Sequence, residues 1–121
     1  MDRIEIKGLR AFGRHGILDV ERASGQVFVI DLVLETDLSR AASSDRLADT
    51  VDYGAVAQQV AGAVAATHFD LIEALAAHLA ERVLADSKVA AVTVRVAKPQ
   101  APLSVVVEEV AVVVRRQHPR R

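Results

Sequence analysis

The segment QVFVIDLVLETDL, residues 26–38, limits the folds open to this chain more than any other stretch. Phe28, Ile30, Leu32 and Leu34 recur at steps of two and mark one face of a strand. Val27, Val29 and Val33 recur on the opposite face, alternating with them and interrupted by Asp31 and Glu35. A strand with one wet face carries a single apolar row, so two rows imply cover on both sides for much of its length. If the helices of the chain pack on one face, loops or another subunit must cover the other.

The remaining periodicities set the element order. Residues 3–10, RIEIKGLR, alternate Ile4 and Ile6 with polar neighbours until Gly8 breaks the pattern, which predicts a first strand. FGRHGILDVERASGQ holds Gly13, Gly16 and Gly25 and reads as a long shaped connection into the second strand, its hairpin partner. The polar stretch SRAASSDRLADTVDYG leads to a change of period. From Gly54, Val56, Val60 and Val64 recur at steps of four, with Ala57, Ala61 and Ala65 beside them, which predicts a helix. A second helix starts near Asp70, with Ile72, Leu75, Ala76, Leu79 and Val83 as its stripe. Asp70 as N-cap would place Glu73 at the third helical position, the spacing of a capping box. Strands return over 89–98 and 105–115, separated by KPQAP, whose prolines cannot sit in a central strand. Glu108 and Glu109 then fall inside the last strand. The order β-β-α-α-β-β predicts an α+β fold, one antiparallel sheet with both helices on one face. One domain over residues 1–121 is expected, with 116–121, the end of RRQHPRR, as a frayed basic tail.

Several function classes recede on composition. The formal net charge is −1, which argues against a nucleic-acid partner. With no cysteine, disulfides and thiolate chemistry are excluded. His15, His68, His78 and His118 lie in different elements without a ligand spacing, so no metal site is expected. Neither a phosphate-binding glycine loop nor a supported serine nucleophile is present. The N-terminal MDRIEIKG has no apolar run of signal-peptide type and no window is long enough to span a bilayer, so a soluble, cytoplasmic protein without membrane contact is expected. Apolar residues make up 51% of the chain with only three Phe and one Tyr. The core must therefore be Val, Leu, Ile and Ala, with enough apolar surface left for a subunit interface.

Four polar side chains fall where the patterns stop: Glu21, Tyr53, Glu73 and Lys98. Each has an ordinary reading. Glu21 would be a solvated loop acid, Tyr53 the start of the first helix, Glu73 half of a capping box, and Lys98 a charge that protects a sheet edge. Glu73 is the sharpest case. A carboxylate in a first helical turn is favoured by the dipole, and the same group can accept two parallel N–H bonds from a planar ligand. Among the histidines, His15, between Gly13 and Gly16, is the one placed near a site.

Taken in order, KGLRAFGRHGILDVERASGQVFVIDLVL, DLSRAASSDRLADTVDYG, FDLIEALAAHLAERVL and VRVAKPQAP resemble the dihydroneopterin aldolases, pterin-cleaving enzymes of folate biosynthesis. The resemblance covers most of residues 4–115. It implies a tunnelling-type fold in which four subunits close their sheets into a β-barrel and two rings stack as a homo-octamer, with active sites between subunits. The family's pterin-anchoring glutamate falls on Glu73, supported by backbone groups around Leu71 and Ile72. Its interface segment falls on Val51, Asp52 and Tyr53, supplied by the neighbouring chain. Its catalytic lysine and loop glutamate fall on Lys98 and Glu21, and His15 takes a supporting or lining role.

The reaction so implied is retro-aldol cleavage of 7,8-dihydroneopterin to glycolaldehyde and 6-hydroxymethyl-7,8-dihydropterin. The pterin ring itself is the electron sink, so neither a cofactor nor a metal is required. Epimerisation at C2′ to 7,8-dihydromonapterin is a plausible accompanying activity. Two alternatives stand beside this one. A dihydroneopterin triphosphate epimerase would need a basic cradle, for which Arg14 and Arg40 are the candidates. A non-catalytic oligomeric pterin-binding protein would not need the acid, phenol and amine that this chain retains.

Overall fold

Alternation at both ends of the chain and a helical period between them yield the expected layers. The computed structural model describes residues 1–118. In chain order the elements are β1 (Arg3–Gly13), α1 (Asp19–Ser24), β2 (Gln26–Glu35), α2 (Ser39–Ser44), a 3-10 turn (Leu47–Asp49), α3 (Tyr53–Ala66), α4 (Ile72–Leu84), β3 (Ala91–Lys98) and β4 (Val110–Gln117). All strand pairs are antiparallel and the sheet order is β1-β2-β3-β4. α3 packs mainly on β1, and α4 on β3 and β4.

The core forms where the two periods meet. Phe28, Ile30, Leu32 and Leu34 of β2 and Val92, Val94 and Val96 of β3 are fully buried. They pack against Val60 and Val64 of α3 and Leu75, Leu79 and Val83 of α4 in one cluster. Among the described residues, no helix or strand packs over the opposite face of the sheet. Val27 and Val113 are 44% and 60% exposed there. Charged pairs share that face: Arg95 bonds Glu109, and Arg115 reaches across the sheet to both oxygens of Glu35 at 2.9 and 3.1 Å.

Several boundaries differ from the sequence expectation, each for a local reason. β1 does not stop at Gly8; it bulges there. Lys7 and Gly8 together face Asp31, since the register passes from Ile6↔Leu32 to Leu9↔Ile30. Gly8 takes a φ of 71°, and its N–H donates to the Asp31 carboxylate at 2.7 Å. Glycine suits such a bulge because the left-handed region carries no steric cost for it. The long connection after β1 folds α1 within it, and β2 ends at Glu35 rather than at residue 38.

α4 starts later than expected. Its N-cap is Leu71, no side chain caps it, and Glu73 is its second residue, so the capping box from Asp70 does not form. β4 begins only at Val110, which leaves Glu108 and Glu109 in the irregular approach to it. Nor does a frayed tail start at residue 116: Arg116 and Gln117 pair with Val92 and Ala91 in the sheet. Residues 119–121 of that tail lie outside the described residues. Among the described residues, no helix is long and apolar enough to cross a membrane.

Leu79 is fully buried at the centre of α4. Leu79→Ala should lower unfolding free energy by about 2–5 kcal/mol, measured by urea denaturation at fixed protein concentration.

Candidate active site

The register of β2 against β3 pairs Val29 with Ala97, which brings Lys98 beside the start of β2 and the α1 segment before it. Lys98 Nζ donates to Glu21 Oε2 at 2.8 Å, with the two side chains only 14% and 7% exposed. Neither ordinary reading of these residues survives. β3 is an interior strand, so Lys98 does not guard an edge. Glu21 is a buried helical residue rather than a solvated loop acid. Its carboxylate also accepts from the Leu18 N–H and the Gln26 side-chain amide, both at 3.3 Å. A buried ion pair persists only when hydrogen bonds satisfy the charges, and these supply them. Burial alone would raise the Glu21 pKa; the Lys98, Leu18 and Gln26 bonds outweigh it and hold the carboxyl below its ordinary value. Gly16, at φ 148°, lies so close that a Cβ there would overlap the Glu21 carboxylate.

This pair forms one wall of a groove of about 450 Å³. The facing wall is the start of α4, from Asp70 to Glu73, and the rim includes Pro102 and Leu103 of the turn after β3. Four charged side chains, Glu21, Asp70, Glu73 and Lys98, stand in an otherwise apolar lining. Such a surface suits a flat heterocycle with polar edges. Glu73 is exposed to the groove, and without the capping box its carboxylate is free to receive a ligand. The first amides of α4 open onto the same space, since no side chain caps them. Leu71 and Ile72 line the groove.

Other expected residues lie elsewhere. Val51 is fully buried in the core, Asp52 caps α3 by accepting from the Ala55 N–H at 3.1 Å, and Tyr53 is 60% exposed at the first turn of α3. None of the three lines the groove. The chain thus brings together Glu21, Lys98, Glu73, Leu71 and Ile72, and leaves the 51–53 segment apart.

His15 is corrected as well. It is fully buried, behind the groove rather than in its lining. Its Nδ1 accepts the Phe69 N–H at 3.0 Å and its Nε2 bonds the Val64 carbonyl at 2.8 Å. The ring is therefore a neutral strut with the proton on Nε2, tying α3 to the loop that leads to Glu73. Arg14 donates to the Arg22 and Ala23 carbonyls at the end of α1, and Arg40 pairs with Asp49 at 3.1 Å; neither lines the groove. Among the described residues, no three His, Asp or Glu side chains gather as metal ligands.

Sequence reasoning missed three contributors. Gln26 reads as a strand residue and Asp70 as a cap, and nothing in spacing reveals that the first bonds Glu21 and the second lines the groove. The Pro102–Leu103 rim follows from KPQAP, which marked a turn directly after Lys98 but not which way it folds.

Comparison with known proteins bears on the family and the fold. A family model described as FolB, dihydroneopterin aldolase, matches residues 4–115. A dihydroneopterin aldolase of Streptomyces coelicolor is 42% identical over 116 residues, 96% of this chain and 98% of that protein. The crystal structure of E. coli dihydroneopterin aldolase in complex with neopterin superposes with a TM-score of 0.88 at 31% identity, covering 96% of this chain and 99% of that one. A Burkholderia thailendensis dihydroneopterin aldolase bound to guanine gives a TM-score of 0.77 at 29% identity, covering 98% and 92%.

Burial lowers the His15 pKa; the Val64 bond opposes this, while nearby His68 and Lys98 add to it. The unfolded chain therefore takes up this proton near its ordinary pH of about 6.5, before the folded chain does. Stability should fall as pH drops below about 6.5 and level off once folded His15 also protonates. Urea midpoints measured from about pH 7.5 to 5.5 should show this decline in the wild type, and His15→Asn should flatten it. An equal slope in both proteins would assign the decline to other groups.

Proposed function

The chain belongs to the dihydroneopterin aldolase family, and we propose that it performs the family's retro-aldol cleavage in the groove between Glu21, Lys98 and Glu73. The observation that carries this reading is the buried Glu21–Lys98 pair facing an uncommitted Glu73 across an apolar slot. The substrate is 7,8-dihydroneopterin, whose guanidine-like edge presents two parallel N–H groups. Glu73 accepts both, as carboxylates do from planar donors, and the backbone around Leu71 and Ile72 completes the anchor.

With that edge fixed, the N5 side of the ring lies toward Lys98. Removal of the 2′-hydroxyl proton breaks the C1′–C2′ bond, and glycolaldehyde leaves. The bonding pair forms a C1′=C6 double bond, and the former N5=C6 pair moves onto N5. The Lys98 ammonium stabilises the charge developing there, directly or through water. Protonation at C1′ restores N5=C6 and gives 6-hydroxymethyl-7,8-dihydropterin. Because the ring takes the electrons, the step needs neither an imine on Lys98 nor a metal. Glu21 holds the ammonium in place and, with Tyr53 and an ordered water, handles the proton transfers. Return of the bond to the other face of the aldehyde inverts C2′, so epimerisation to 7,8-dihydromonapterin accompanies cleavage.

Tyr53 reaches this groove only from a neighbouring chain. The reading draws support from its 60% exposure outside the groove, from the uncovered valines of the sheet, and from β1 and β4, which end the sheet with unpaired edges. Rings of four chains that join edge to edge would close a barrel, and two stacked rings an octamer.

Purified protein given 7,8-dihydroneopterin with a chelator present should release glycolaldehyde and 6-hydroxymethyl-7,8-dihydropterin in equal amounts. Tight pterin binding without cleavage would overturn the aldolase reading. Glu73→Ala should weaken pterin binding before it slows the chemical step. Tyr53→Phe and Lys98→Ala proteins, each nearly inactive, should regain activity when unfolded and refolded together, because mixed rings contain sites with both groups intact.

A further inference from the structure

α1 carries Glu21, yet little apolar contact holds it. The helix has six residues, Glu21 is its one buried residue, and Val20 is 61% exposed. It packs extensively against no strand and no longer helix. A helix this short has no stability of its own in water, so polar bonds must fix its position. There are three sets of them. Glu21 bonds Lys98. Arg14 bonds the Arg22 and Ala23 carbonyls, where a cation also complements the helix C-terminus. Arg22 donates through Nε to the Gly16 carbonyl at 3.1 Å and through Nη2 to the Asp70 carboxylate at 2.9 Å.

Only the last set ties α1 to the opposite wall, among the described residues. Arg22 directly follows Glu21, and Asp70 stands three residues before Glu73. The bond therefore links the acid–base side of the groove to the anchoring side by a short path. The His68 ring lies 3.3 Å from the same Asp70 oxygen and helps hold it. We propose that Arg22 is a positioning residue: through Asp70 and the Gly16 carbonyl, it keeps Glu21 and Lys98 in register with a pterin anchored on Glu73. The proposal rests on the aldolase reading above. Its physical basis is an asymmetry of scale. Arg22 and Asp70 are 43% and 60% exposed, so their pairing contributes little to stability. A reacting group displaced by about 1 Å, in contrast, can slow chemistry about 100-fold. Arginine suits the role because its planar fork engages two acceptors in fixed directions, which a lysine cannot do.

The test separates binding from cleavage. Wild-type, Arg22→Met and Asp70→Asn enzymes are compared for single-turnover cleavage of bound 7,8-dihydroneopterin, for the Kd of 6-hydroxymethyl-7,8-dihydropterin, and for thermal midpoint. Arg22→Met should cleave about 10- to 100-fold more slowly, with Kd within about 3-fold of wild type and the midpoint nearly unchanged. The exchanged pair Arg22→Asp with Asp70→Arg should recover part of the rate lost in either single variant. Wild-type cleavage in Arg22→Met would overturn the proposal. So would equal losses in binding and cleavage, or an exchanged pair as slow as the single variants. Absence of cleavage by the wild type would remove the parent reading, a result distinct from all of these.

Discussion

The pairing of β2 with β3 is the constraint on which the site depends. It joins two hairpins separated by the helical layer, and its register pairs Val29 with Ala97 and Glu35 with Ala91. Lys98, the last residue of β3, thereby arrives next to the chain entering β2, and Glu21 meets it across 77 positions of sequence. Side chains alternate between the faces of a sheet, so a slip of one residue would turn Lys98 away from Glu21 and expose Val92, Val94 and Val96. The burial that fixes the core therefore also fixes the ion pair. No separate device is needed to aim the lysine; the valine row aims it.

Burial cannot aim α1 in the same way. Glu21 is drawn inward by Lys98, Leu18 and Gln26, while most of its helix stays in solvent. Polar bonds are directional but individually weak, whereas apolar packing is strong but indifferent to angle. The proposed role of the groove, holding a rigid bicyclic ring at both edges, gains from the former. The arrangement also explains Gly16: the loop passes so close to the Glu21 carboxylate that no side chain fits.

What the sequence revealed, and what it hid, follows from the same division. Periodicity disclosed β2, α3, α4 and the antiparallel layer with its helices, because burial writes itself into spacing every two or every three to four residues. Glu21, Glu73 and Lys98 stood out where the patterns stop, a resemblance gave them roles and added Leu71 and Ile72, and the groove gathers all five. Glu73's local reading misled, since an Asp70-x-x-Glu73 spacing fits a capping box equally well; Asp70 instead turns to Arg22, a partner 48 residues away. His15 was misplaced for a related reason. Glycines on either side suggested access, but the ring bridges Val64 and Phe69 inside the wall. β4 started late because its valine run continues backward through 105–107, and a run of valines has no phase with which to mark where pairing begins.

The second apolar row of β2, which first restricted the fold, bears on how the groove is completed. Among the described residues that row stays partly exposed, yet the face is not purely apolar: Arg95 lies between Asp31 and Glu109, and Arg115 joins Glu35. A dry interface would have to desolvate these charges at a cost of several kcal/mol per ion. A wall around a water-filled centre would leave them hydrated and still shield the valines from bulk solvent. The mixed face is therefore suited to the inside of a closed ring, with the edges of β1 and β4 as the joints. Such a ring gives each groove a neighbour at a fixed distance, and a neighbour is what the exposed Tyr53 requires if its phenol is to reach the pterin side chain. The proposed assembly and the proposed chemistry thus make the same demand on this chain: that the Tyr53 phenol of one copy serve the groove of the next.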